Sequence, residues 1–135
     1  MRTLAALFLV FALASCGEKP PPLPKLGSDA VILAFGDSLT YGTGAGPEEA
    51  YPKILAGLIK RQVIGAGVPE PVLFGGSAPF YTKIADELKV PLEQKIMQDV
   101  LFDKELKSDQ IHPNARGYRR MAQAIAELLH RAGAV

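Results

Sequence analysis

One cysteine, two histidines and no tryptophan occur in 135 residues. A lone Cys16 excludes a disulfide framework within the chain. So few soft ligands also argue against a dedicated structural zinc site, and no cofactor is expected. No basic run exceeds two residues, so neither a polybasic membrane patch nor a nucleic-acid footprint is expected. Charge is nearly balanced, 15 Lys and Arg against 14 acids. No apolar run approaches the ~20 residues of a membrane-spanning helix. Beyond residue 28 there is no internal repeat and no low-complexity tract.

What is present begins with a targeting pattern. Arg2 supplies one positive charge, and Leu4 to Ala14 is apolar throughout. Residues 1–15 are therefore expected to be a signal peptide. The run ends Leu13-Ala14-Ser15-Cys16-Gly17, which resembles the lipobox of bacterial lipoproteins. That resemblance implies lipidation of Cys16, cleavage before it and acylation of the new amino terminus. Several acyl chains anchor stably because each buried methylene contributes ~0.8 kcal/mol. An ordinary secreted protein whose leader contains a Cys is the alternative. Residues 16–28 hold four prolines in five positions, Pro20-Pro21-Pro22-Leu23-Pro24, which predicts an extended, semi-rigid spacer. By the same resemblance Gly17, which is not Asp, points to the outer membrane, facing the periplasm, if the host has two membranes.

Residues 29–135 are expected to form one domain. Ala30–Phe35 is a continuous apolar run, which suits a buried parallel strand. A helix is expected near Pro52–Arg61, with Tyr51, Ile54, Leu55, Leu58 and Ile59 on one stripe. Val63–Ala66 reads as a second strand. Phe80, Tyr81, Ile84 and Leu88 mark a helix near Ala78–Lys89. Val90-Pro91-Leu92 reads as a short strand or connector, and residues 93–106 hold a helix with Ile96 and Val100 inward. Asn114 can cap a last helix whose buried stripe is Tyr118, Met121, Ala122, Ile125, Leu128 and Leu129, ending near Gly133. Alternating strands and helices predict an α/β domain with a mostly parallel sheet.

Chemistry is expected at the edges of that pattern. Gly36-Asp37-Ser38-Leu39-Thr40 follows the first strand directly. A tight strand-to-helix turn there exposes a serine hydroxyl at the carboxyl end of the sheet, where ligands of open α/β sheets bind. Its amide lies near a helix N-terminus and can face a developing oxyanion. A serine needs a base, and Asp109-Gln110-Ile111-His112-Pro113-Asn114 can supply one. Asp109 lies three residues before His112, close enough to orient the ring and stabilise the imidazolium formed on taking the Ser38 proton. Each motif alone has a plainer reading, a helix cap for the first and a solvated loop pair for the second. Asp37 is expected to bond turn amides, and His130 to sit at a helix C-terminus.

At these residues the chain resembles the SGNH (GDSL-type) hydrolase superfamily, particularly its bacterial arylesterases, acyl-CoA thioesterases and lysophospholipases. Gly36–Thr40 matches the first block, Asp109–Asn114 the last, and Tyr51-Pro52, Gly117-Tyr118 and Met121-Ala122 agree. The resemblance implies a three-layer α/β/α flavodoxin-like fold and a Ser38, Asp109, His112 triad. It also implies hydrolysis of small esters or thioesters through an acyl-enzyme on Ser38.

The chain departs from that family in its middle. Val63-Ile64-Gly65-Ala66-Gly67 begins the second block, then runs into Val68-Pro69-Glu70-Pro71, a segment that follows a later strand in the family. A central segment is missing near residues 67–68, and with it the family's Gly and Asn oxyanion donors. Val72–Ser77 is a weaker candidate for a replacement. The Ser38 amide is then the remaining donor, and losing one oxyanion donor typically costs ~100- to 1,000-fold in turnover. The alternative expectation is a catalytically impaired or inactive lipoprotein, or a module that binds an acyl or sugar ester.

Overall fold

In the computed structural model, residues 19–67 and 79–135 are described. The signal peptide, Cys16 and the Val72–Ser77 segment therefore lie outside the described residues. The chain is mixed α/β. Among the described residues two parallel strands, β1 (Val31–Gly36) and β2 (Gln62–Gly67), are accompanied by five α-helices. These are α1 (Ser38–Tyr41), α2 (Tyr51–Ile59), α3 (Pro79–Leu88), α4 (Ile96–Phe102) and α5 (Ala115–Arg131). The strands pair in register from Val31 opposite Gln62 to Gly36 opposite Gly67. Among the described residues no helix is long and apolar enough to cross a membrane.

Local chemistry explains the boundaries. Pro52 stands in the first turn of α2, where a missing N–H costs nothing. The Asn114 side chain accepts from the Arg116 and Gly117 amides and starts α5. Helix α5 ends at Ala132, and Gly133 follows in the left-handed region (φ 79°). The Val90–Leu92 connector forms no strand.

The core is built by helix α5 against α2 and α4. Leu55 and Ile59 meet Ala122 and Ala126, with Ile32 and Val63 beside them. Ile96 and Val100 meet Tyr118 and Met121. Ile96 and Val100 are inward as expected, and Ala126 joins the α5 stripe, while Leu58, Ile84 and Leu88 are exposed. No other element packs closely on α3 among the described residues, which leaves Ile84 and Leu88 open.

One expectation requires correction, and one gains a detail. The β1 strand is buried on one side only. Val31, Leu33 and Phe35 are 52%, 63% and 82% exposed, and Ile64, paired with Leu33, shares their face. Alternate side chains of a strand point to opposite faces, and the helices that pack here cover only the Ile32 side. The proline-rich spacer, for its part, is docked where it nears the domain. The Leu23 and Leu26 amides donate to the Ala132 and Ala134 carbonyls at 2.8 Å, and Arg61 donates to the Leu26 carbonyl. Carbonyls past a helix end need such donors, and the leucines following the prolines supply them.

The open face yields a prediction. Phe35→Thr should change unfolding free energy by no more than about 0.5 kcal/mol, because an exposed side chain has little burial to lose. The same change should raise the soluble concentration, since it shrinks an exposed apolar patch. Denaturant melts and a solubility titration measure both. A destabilisation of several kcal/mol would mean that the face is covered.

Candidate active site

Ser38 is the first residue of α1, directly after β1 and the Asp37 cap. Asp37 Oδ1 accepts from the Leu39 amide at 3.0 Å, the structural role expected for it. Gly36 makes the turn possible, because a β-carbon there would meet the Thr40 hydroxyl. Thr40 is buried and shares a 3.2 Å hydrogen bond with the Tyr51 hydroxyl, tying α1 to α2. Burial raises the Tyr51 phenol above its ordinary value. Ser38 itself is only 2% exposed. Its carbonyl accepts from the Gly42 and Thr43 amides, both at 3.0 Å. Its own amide is among the first of the helix, which have no acceptor within it.

The Asp109–His112 segment is a closed loop. Lys107 and Pro113 form an antiparallel bridge, and the Ser108 amide donates to the His112 carbonyl at 2.9 Å. Asp109 Oδ1 accepts from the Ile111 and His112 amides at 2.8 Å each. Its Oδ2 lies 2.7 Å from His112 Nδ1. The histidine bond, with the Ile111 amide next, lowers the Asp109 carboxyl from 3.8 to about 2. An ionised carboxylate at Nδ1 favours the tautomer with its proton on Nδ1, leaving Nε2 as an acceptor. His112 Nε2 is buried and has no hydrogen-bond partner among the described residues.

The two segments converge. The loop after α1 runs past Gly44, whose α-carbon lies so close to the His112 loop that a β-carbon would meet Ser108 Oγ and the Pro113 carbonyl. Tyr118, on α5 just beyond that loop, donates to the Thr43 carbonyl at 2.7 Å. Asp109 and His112 are thus paired directly, and the Thr43-Gly44 loop that follows the Ser38 helix is packed against theirs. No hydrogen bond joins the Ser38 hydroxyl to His112 in this structure. Catalytic hydrogen bonds commonly tighten only when substrate is bound.

Three contributors escape a reading of motifs. Gly44, Ser108 and the Tyr118 hydroxyl hold the segments together. Ser108 Oγ donates to the His112 and Pro113 carbonyls, and only its place beside Asp109 hinted at this. Tyr118 fits the apolar stripe of α5, and its polar tip was the signal, because buried tyrosine hydroxyls usually find an acceptor. His130 lies in the last turn of α5, as expected, with Nδ1 3.2 Å from the Val135 carbonyl. Among the described residues no cluster of three metal-ligating side chains occurs. Comparisons with protein-family models, with curated proteins and with solved structures each return no match to this chain.

Proposed function

We propose that this chain is a serine hydrolase of the SGNH type, acting on small carboxylic esters or thioesters as arylesterases and lysophospholipases do. The observation that carries the reading is the Asp109–His112 pair. Its outer ring nitrogen is buried and unpartnered, and its loop packs on the Gly44 turn that follows the Ser38 helix. In the proposed reaction His112 Nε2 takes the Ser38 proton as Oγ attacks the carbonyl carbon. The proton then passes to the departing alcohol or thiol, leaving an acyl group on Ser38. Water attacks the acyl-enzyme, losing a proton to His112. The acid leaves, and Oγ recovers that proton. The Ser38 amide faces the oxyanion of each tetrahedral intermediate.

The same proposal places the two-stranded sheet within a three-layer α/β/α fold lacking a central segment. It includes a lipid anchor on Cys16 in the bacterial cell envelope, facing the periplasm if there are two membranes. Support for the anchor is the leader pattern ending in Leu13–Cys16.

A second reading is a catalytically impaired lipoprotein of the same outline, or a module that holds an acyl or sugar ester. It is favoured by the open face of β1 and by the absent Ser38–His112 hydrogen bond. A fluorophosphonate probe separates the two. Labelling of the folded wild type should disappear in Ser38→Ala and in His112→Ala. A folded, monodisperse wild type that takes no label would leave only the second reading.

A further inference from the structure

We infer that Tyr118 is a positioning residue for Ser38, its hydroxyl fixing the loop that grips the serine backbone. The inference rests on the hydrolase reading and deepens it. Tyr118 is fully buried in the cluster with Ile96, Val100 and Met121, yet its hydroxyl emerges from that apolar setting to one acceptor, the Thr43 carbonyl at 2.7 Å. The amide of the same Thr43 donates to the Ser38 carbonyl at 3.0 Å. One peptide residue therefore links the phenol to the serine.

The other end of Tyr118 is anchored to the base. Its amide donates to the Asn114 carbonyl, and Asn114 follows His112 by two residues and bonds the Glu105 and Lys107 carbonyls through its side chain. The residue thus spans the gap between the segment that carries the hydroxyl and the segment that carries the imidazole. Burial, reinforced by the charges of Asp37 and Asp109, pushes the phenol well above its ordinary value. It keeps its proton and remains a donor throughout the range in which a histidine base works. Without that donor the Thr43 carbonyl loses its bond to α5, and among the described residues the loop is left with its backbone bonds, the Gly44 approach and the packing of Ala45 on the α5 cluster. A small displacement of Oγ is enough to lower reactivity steeply, since a misplacement of about 1 Å can cost ~100-fold.

Tyr118→Phe removes the donor and keeps the ring that fills the core. Fluorophosphonate capture is measured against probe concentration, well below the melting transition, in wild type and variant. The expected result is a maximal capture rate lowered about tenfold, with the half-saturating concentration unchanged. The Nδ1 proton resonance of His112 should also stay where it is, because its Asp109 partner lies within its own loop. A purely structural role would lower the melting temperature and leave the maximal rate of the folded variant alone. If the variant is not folded in buffer, both proteins are compared in trimethylamine N-oxide, which favours the buried state. A folded variant within twofold of wild type overturns the inference, and so does one that will not fold even there. Wild type that takes no label, or Ser38→Ala that still does, rejects the hydrolase reading itself and is recognised before the variant is considered.

Discussion

Asp109→Asn is expected to slow fluorophosphonate capture by three to four orders of magnitude, roughly the cost of presenting a serine with the wrong histidine tautomer. The geometry explains the size. One Asp109 oxygen is committed to the Ile111 and His112 amides and the other faces His112 Nδ1. In the asparagine variant the amide oxygen must remain on those two donors, since an NH2 group there would oppose two N–H groups. Nδ2 then faces the ring and donates to Nδ1, which places the ring proton on Nε2. That nitrogen can no longer accept from Ser38. Folding should be little affected, because the loop keeps its amide contacts and its bridge. A drop of less than tenfold in a folded variant would remove Asp109 from the proposed triad.

The pH dependence of the same carboxylate has a definite sign. The folded value of about 2 lies below the ordinary carboxyl value of 3.8, chiefly through the bond to His112. A lowered acid contributes its stability above the unfolded value and loses it as pH falls through the folded one. The contribution of the Asp109 contacts is therefore present from about pH 4 upward and is lost between about 4 and 2. Asp109 should impose no acid limb on capture above about pH 4, which a rate profile of wild type measures.

Gly44→Ala should be the most damaging change that leaves all three proposed catalytic side chains in place. At φ 95° any other L-residue is strained, which costs about 1–3 kcal/mol. The new methyl would also meet Ser108 Oγ and lie 2.7 Å from the Pro113 carbonyl. A backbone carbonyl in a bridged loop cannot step aside as a flexible side chain can. The two segments must separate, and capture should fall at least ~100-fold, the scale of a 1 Å misplacement. Gly57→Ala is the matched control. It lies in helix α2 and its β-carbon would meet nothing within 4 Å, so it should be neutral or stabilising. Equal behaviour of the two variants in melts and in labelling would contradict the close approach at Gly44.

Much of the site could be read before any fold was known, and the reason is range. Asp109 and His112 are three residues apart, so one turn of backbone settles whether they can meet. Asn114 capping α5 and Asp37 capping α1 are equally local, each spanning two or three residues. The α5 stripe follows from the 3.6-residue period, which is why Tyr118, Met121 and Ala122 are buried as expected.

Other features depend on what is packed against what. A continuous apolar strand reads the same whether one face is covered or both, so Val31, Leu33 and Phe35 gave no sign that their side is open. Leucines in a proline-rich stretch do not announce that Ala132 and Ala134 will accept from their amides. Tyr118 and Thr43 are 75 residues apart, and their meeting requires α5 to lie along the loop after α1. The primary structure alone thus settles the turns, the caps and the pairing of Asp109 with His112, because short-range bonds close within a few residues. The approach of the serine segment to that pair, the Tyr118 link and the uncovered sheet face arise only from the docking of distant elements. Side-chain packing governs that docking, and no local window of sequence contains it.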